Sequence, residues 1–249
     1  MLSRTTVVTG AGSGIGRATV LLLARQGHHV YAVGRRIDRL QETQALAAKG
    51  AVDVIAADVS DHESLKKALE RIPTITGIVA NAGICRQALL DEPGALRIWH
   101  ETVAVNLTGV YLTILFLSPK LEEHGHVVTL SSGLGKLGRA GYSAYSASKH
   151  GVLGLTKSLS KELAPRSITV NAVCPGWVDT TMAHRDLERT AAVHGTRTED
   201  ERRRATDTIA LGRFVQPEEV ADLISFLLSP QSSAITGQAY NISGGEFFA

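Results

Sequence analysis

The chain has 249 residues, 44% of them apolar and 20% charged, a balance that excludes a disordered or collagen-like polymer and suits one α/β unit. Lys plus Arg number 26 and Asp plus Glu 24, a formal net charge of +2, so nothing calls for nucleic acid or an acidic membrane surface as partner. Two cysteines, Cys85 and Cys174, cannot staple a chain of this length and lack zinc spacing; they suit a reducing, cytoplasmic setting.

Met1-Leu2-Ser3-Arg4-Thr5 runs straight into an apolar strand, without the h-region or cleavage site of a targeting segment. Short apolar runs then alternate with helical patterns. Strands are predicted at 5–9, 29–33, 52–57, 77–80, 127–131, 168–173 and 238–242, and helices at 14–26, 38–49, 61–71, 95–117, 143–163 and 217–228. The most apolar stretch, 103–117, contains Asn106 and Gly109 and is too short to span a bilayer. Alternation of this kind needs a mostly parallel sheet with helices on both faces, and right-handed crossovers favour a doubly wound Rossmann-like α/β arrangement. No repeat or linker divides the chain, so residues 1–249 read as one domain. The polar stretch 179–211, with Arg202-Arg203-Arg204 inside it, interrupts the rhythm and reads as a substrate lid.

The turn Thr9-Gly10-Ala11-Gly12-Ser13-Gly14-Ile15-Gly16 joins the first strand to the first helix. A dinucleotide pyrophosphate needs free backbone N–H groups, a helix N-terminus and no Cβ in the way. The turn offers all three, although the standard third glycine of G-x-G-x-x-G is missing. Strand two ends Val33-Gly34-Arg35-Arg36, with no carboxylate for the 2′-hydroxyl of NAD. A guanidinium there suits the 2′-phosphate of NADP; NADP(H) is the expected cofactor, with Arg35 its main contact and NAD(H) the alternative.

Tyr145 and Lys149 stand at i and i+4 of a predicted helix, hence on one face. A free phenol has a pKa of about 10, and a nearby ammonium would lower it, making a tyrosine able to exchange a proton with a carbonyl oxygen. Ser132 stands at the carboxyl end of a strand, where open α/β sheets place ligands.

These motifs together resemble the short-chain dehydrogenase/reductase family over essentially the whole length. The match comprises Thr9-Gly10-x-x-x-Gly14-x-Gly16, Asp58-Val59, Asn81-Ala82-Gly83, Asn106, Ser132, Tyr145-x-x-x-Lys149, and Pro175-Gly176 with Thr180. The resemblance implies a seven-stranded Rossmann-like sheet and a catalytic tetrad of Asn106, Ser132, Tyr145 and Lys149. It also implies a cofactor site of Gly10, Ser13, Gly14, Ile15, Gly16, Arg35, Asp58, Val59, Asn81, Ala82, Gly83, Tyr145, Lys149, Pro175, Gly176, Val178 and Thr180. Asp58 would face the adenine, Asn81 the adenosine side and Thr180 the nicotinamide carboxamide. Residues 145–175 and Gly212-Arg213-Phe214-Val215-Gln216-Pro217 look most like ketoreductases of 3-oxoacyl thioesters and polyketides, which use NADPH. Ile84-Cys85-Arg86-Gln87 replaces the Pro-Gly-Gly of the aromatic-polyketide members, which disfavours a bulky polyketide.

The expected activity is NADPH-dependent reduction of a ketone, of 3-oxoacyl-thioester type or related, to a secondary alcohol. The substrate would be a small ketone or alcohol, or a thioester on CoA or a carrier protein. An alcohol, sugar or steroid dehydrogenase working oxidatively is the nearer alternative, and a non-catalytic dinucleotide sensor the farther one. Nine histidines include His28-His29 and His124-x-His126, but neither pair completes a metal set, so no metal is expected. Arg202–Arg204 reads as a solvated face or as a contact for a carrier or a CoA phosphate. The apolar helix 103–117 and the small residues after Tyr145 fit subunit contacts, which the family uses to form homotetramers. Phe247-Phe248 should pack on the fold or a neighbour, and both cysteines should be buried apolar groups.

Overall fold

The computed structural model describes residues 4–248; the reading of Met1 to Ser3 as a start without a leader lies outside the described residues. Seven strands form one sheet: β1 (Thr5–Thr9), β2 (His29–Gly34), β3 (Val52–Ala56), β4 (Ile75–Ala80), β5 (Leu121–Leu130), β6 (Thr169–Pro175) and β7 (Ala239–Ile242). Their order is β3-β2-β1-β4-β5-β6-β7, and every pairing is parallel. The nine α-helices among the described residues are α1 (Gly14–Arg25), α2 (Ile37–Ala45), α3 (His62–Glu70), α4 (Ala95–Val103), α5 (Gly109–Leu117), α6 (Ser143–Glu162), α7 (Thr181–His194), α8 (Thr198–Asp207) and α9 (Pro217–Leu227).

Successive strand residues point to opposite faces, and here both faces are covered. Val7, Ile78, Val127 and Val170 meet Leu65 and Leu69 of α3, Ile114 of α5 and Val152 of α6. Their neighbours Val8, Val79 and Val128, with Val173, meet Val20 and Leu23 of α1 and Val220 and Ile224 of α9. Two-sided burial is why these strands read as continuous apolar runs rather than alternating ones. Each such Val or Leu contributes about 1.5–3 kcal/mol on burial. The strand order reverses between β1 and β4, and doubly wound sheets open a ligand crevice at the carboxyl ends of the strands on either side of such a switch.

Four expectations need correction. The helix expected at 95–117 is interrupted by a π-turn, Ala104–Thr108, and its helical run extends to Lys120. That run of 26 residues is long and apolar enough to cross a membrane by length and composition, against the expectation from 103–117; 44% of its most apolar window is buried, where α5 packs on α3 and β4. The stretch 179–211 is not irregular: it holds α7 and α8. Helix α7 buries Ala183, Leu187 and Ala191, one residue per turn, a stripe too narrow to stand out among polar neighbours. Strand β5 starts at Leu121 rather than 127, because Ile75 pairs with Leu121 before a register shift carries Gly77 to His126. A strand bulge of that kind absorbs extra residues, and the exposed Glu122-Glu123-His124 conceals it in the sequence.

Two histidines are buried beside Arg4 at the opposite end of the sheet. His28 Nδ1 lies 3.0 Å from Thr6 Oγ1, and His126 Nδ1 2.9 Å from Thr169 Oγ1. Burial first, and the Arg4 charge second, press both pKa values down to about 4. The unfolded chain therefore takes up these protons first, below about pH 6.5. Stability is full above that value and is lost as pH falls toward 4, by at most about 3 kcal/mol per histidine. Urea midpoints at pH 7.5 and 5.0 should differ accordingly, and the double variant His28→Gln, His126→Gln should flatten the difference. An equal pH dependence in the double variant would refute this assignment.

Candidate active site

A cleft of about 380 Å³ follows the carboxyl edge of the sheet and is lined by residues from every strand-to-helix junction near the switch. Its floor is the turn between β1 and α1. Gly10 sits at φ +68°, and a Cβ there would come within 2.8 Å of Asn81 Nδ2. A Cβ on Gly16 would lie 2.3 Å from Gly10 O, so only glycine lets the helix close on the turn. Asn81 stitches the turn to β4: its Nδ2 donates to Thr9 O at 2.8 Å, and its backbone N donates to Thr9 Oγ1 at 3.0 Å. The side chain expected on the adenosine side thus braces the turn. Ser13 makes no side-chain cap, and the first turn of α1 holds no acid, so its orphan N–H groups and positive dipole end face the cleft unopposed.

Arg35, Arg36 and Arg39 line one end of the cleft. Arg35 lies 3.6 Å from Asp58, and Arg39 is paired with Glu42 at 3.0 Å. Burial raises the Asp58 pKa, but hydrogen bonds from Ser60 and then the Arg35 charge outweigh it and hold the carboxyl below its usual range. This end carries three guanidiniums against one lining carboxylate, and glycine-rich backbone adjoins it. That donor set fits an adenosine phosphate and a pyrophosphate.

Ser132, Tyr145 and Lys149 line the middle of the cleft. The Ser132 hydroxyl and the Tyr145 phenol line the cleft together, and Ser132 Oγ accepts from Leu134 N at 3.2 Å. Its neighbour Ser131 is turned away: Ser131 Oγ donates to Lys149 O at 2.9 Å. The Lys149 ammonium stands 5.7 Å from the centroid of the Tyr145 ring and donates to Leu130 O at 2.7 Å. Burial presses its pKa down to about 8. The expected lowering of the phenol's pKa is not what these side chains produce. Burial, first of all, raises it, and the Ser132 hydroxyl offsets only part.

Asn106 is the one expected site residue that does not line the cleft. It is fully buried in the π-turn. Its Oδ1 accepts from Ile84 N and its Nδ2 donates to Ile84 O, both at 2.8 Å. The amide is therefore spent on fixing the segment after β4. Gly14, Ile15, Val59, Ala82, Gly83, Pro175, Gly176, Val178 and Thr180 all line the cleft. Thr180 also caps α7, its Oγ1 accepting from Ala183 N at 3.3 Å.

The other end holds residues outside any motif: Arg139, Tyr142, Trp177, Asp186, Glu246 and Phe247. Arg139 lies 5.5 Å from the ring centroids of both Tyr142 and Trp177. Phe247 is buried against Gly133, whereas Phe248 stays exposed. Cys174 is buried, but Cys85 lines the cleft, contrary to expectation, with Sγ 3.8 Å from Asp186 Oδ1. Arg202, Arg203 and Arg204 pair with Asp179, Asp200 and Glu201 within the lid segment. Among the described residues no cluster of His, Cys, Asp and Glu could hold a metal ion.

A family model described as enoyl-(acyl carrier protein) reductase matches residues 10–246. The 3-oxoacyl-(acyl-carrier-protein) reductase FabG of Thermotoga maritima is 39% identical over 247 residues, covering 96% of each chain. An actinorhodin polyketide ketoreductase variant solved with NADPH is 36% identical, covers 98% of this chain and 97% of its own, and superposes with a TM-score of 0.90. A short chain dehydrogenase family protein from Francisella tularensis, 28% identical, covers 98% of each chain with a TM-score of 0.89. With its seven parallel strands, glycine turn and Ser132, Tyr145 and Lys149 in one cleft, the chain belongs to the short-chain dehydrogenase/reductase family.

Proposed function

We propose that this protein is an NADPH-dependent carbonyl reductase that converts a ketone, of the 3-oxoacyl-thioester type, to a secondary alcohol. One observation carries the reading: Ser132, Tyr145 and Lys149 stand in the same cleft as the glycine turn and the arginine end. Arg35, with Arg36 and Arg39, would hold the 2′-phosphate, and the first turn of α1 the pyrophosphate. Pro175, Gly176, Val178 and Thr180 would flank the nicotinamide. NADPH supplies a hydride to the carbonyl carbon.

The chain's own part is to place and protonate the oxygen. Ser132 donates a hydrogen bond to the carbonyl oxygen, and Tyr145 releases its phenolic proton to that oxygen as negative charge develops. A phenol whose pKa is raised by burial keeps its proton through neutrality, so the form that donates to a carbonyl oxygen is the resting one. Lys149 supplies positive charge beside the phenolate left behind. Asn106 acts at one remove, by fixing Ile84 at the cleft wall.

The reading also takes the chain as one domain with residues 179–211 as lid. Supporting it, Ala183 and Leu187 of α7 pack with Ile209 and Phe214 in a small core separate from both faces of the sheet. It takes the protein as a soluble cytoplasmic homotetramer, in which exposed Trp99, Tyr111 and Leu115 on α4 and α5 would be covered by another copy.

The test is NADPH consumption with acetoacetyl-CoA, a simple diketone and crotonyl-CoA. Turnover of the ketones and none of the enoyl thioester is expected. Turnover of crotonyl-CoA alone would place the chemistry at a carbon–carbon double bond and overturn the reading.

A further inference from the structure

A closed hydrogen-bonded cluster joins the lid to the catalytic helix at the far wall of the cleft. Asp186, half-buried on α7, accepts at Oδ2 from the Tyr142 hydroxyl at 2.6 Å and at Oδ1 from Gln87 Nε2 at 2.8 Å. Gln87 Nε2 also lies 2.6 Å from the Tyr142 oxygen and 3.1 Å from Thr190 Oγ1, so its two protons are shared among these acceptors. The cluster thus draws on three separate parts of the chain: the lid helix, the segment after β4, and Tyr142, which precedes α6 by one residue. Tyr145 lies in the first turn of that same helix. None of these four side chains belongs to a family motif, and a carboxylate is an expensive thing to place in a half-buried wall.

We propose that Asp186 is a positioning residue of the reaction: from the lid it locks Tyr142 and Gln87 into the cleft wall beside the first turn of α6, where Tyr145 sits. The proposal rests on Tyr145 being the proton donor. Tyr145 is faced by Lys149 from α6, Tyr142 from the residue before it, Ser132 from just beyond β5, Cys85 from the segment after β4 and Asp186 from α7, and the Arg139 guanidinium stands at the same wall, 5.5 Å from the Tyr142 ring. Cys85 brings no charge at neutral pH, because burial and Asp186 push its thiol well up. Tyr142 is neutral for the same two reasons. Asp186 is the remaining acidic group, and it opposes loss of the Tyr145 proton. Removing this group would make the Tyr145 proton easier to lose.

The experiment is the pH profile of alcohol oxidation, where phenolate is the reactive form, in the full-length enzyme. In Asp186→Asn the rising limb should move down by about 0.5–1 pH unit, with NADPH affinity unchanged by fluorescence titration. Asp186→Glu, which keeps the charge, should restore the wild-type limb. An unmoved limb in Asp186→Asn, whatever its rate, overturns the proposal, because a purely structural role would change only the rate. Should Asp186→Asn fail to fold, Tyr142→Phe deletes only the hydroxyl. It should lower kcat about threefold or more at unchanged NADPH affinity, as expected for loss of a charge-assisted bond; an unchanged kcat overturns the lock. If Tyr145→Phe retains turnover, the reading beneath fails instead, so the two failures are distinguishable.

Discussion

Tyr145→Phe is expected to reduce ketone turnover by about 10²–10⁴-fold, the range general acid catalysis supplies, while NADPH still binds. The substitution removes one oxygen and leaves the ring beside Lys149 in place. A single neutral hydroxyl of this kind contributes about 0.5–1.5 kcal/mol at most, so the melting temperature should move by only a few degrees. Fluorescence titration should give wild-type NADPH affinity, because the arginine end and the glycine turn are untouched. Turnover within tenfold of wild type would remove the phenol from the chemistry. Loss of turnover with binding retained also separates an enzyme from a nucleotide sensor, which would have no use for the hydroxyl.

Arg35→Asp should raise the KM for NADPH by about 10–10²-fold and lower that for NADH. The guanidinium offers charge-assisted bonds to a phosphate. An aspartate there would stand beside Asp58, now 3.6 Å from Arg35, and two carboxylates repel a 2′-phosphate while accepting from ribose hydroxyls. Arg36 and Arg39 remain at the same end, which is why the loss is bounded. Stability should hardly change, since Arg35 is 61% exposed and exposed pairs contribute little. Unchanged NADPH kinetics would refute the assignment.

The sheet was legible because both its faces are buried, so each strand announces itself as an apolar run between helical periods. The candidate site was legible because its residues sit at fixed places in that framework: Ser132 just beyond β5, Tyr145 and Lys149 one turn apart on α6. Two kinds of feature stayed hidden. The first is local geometry: the π-turn that aims the Asn106 amide at Ile84 leaves no mark in composition. The second is long-range assembly. Arg139, Tyr142, Trp177, Asp186 and Glu246 converge from four segments and belong to no motif. Helix α7 stayed hidden for the same reason, since its buried stripe of Ala183, Leu187 and Ala191 is one residue wide among polar neighbours. The effect of Lys149 on Tyr145 was read from charge alone, and burial, which only the fold supplies, outweighs it.

The central claim is that a carbonyl oxygen receives its proton from Tyr145 in the cleft where its carbon receives hydride from NADPH. The most direct measurement is mass spectrometry of the alcohol formed from acetoacetyl-CoA and NADPH carrying deuterium at both C4 positions of the nicotinamide. The account predicts one deuterium on the carbinol carbon for each NADPH oxidised, and none formed by Tyr145→Phe beyond its residual rate. NADPH oxidation that leaves the carbinol carbon unlabelled would contradict it.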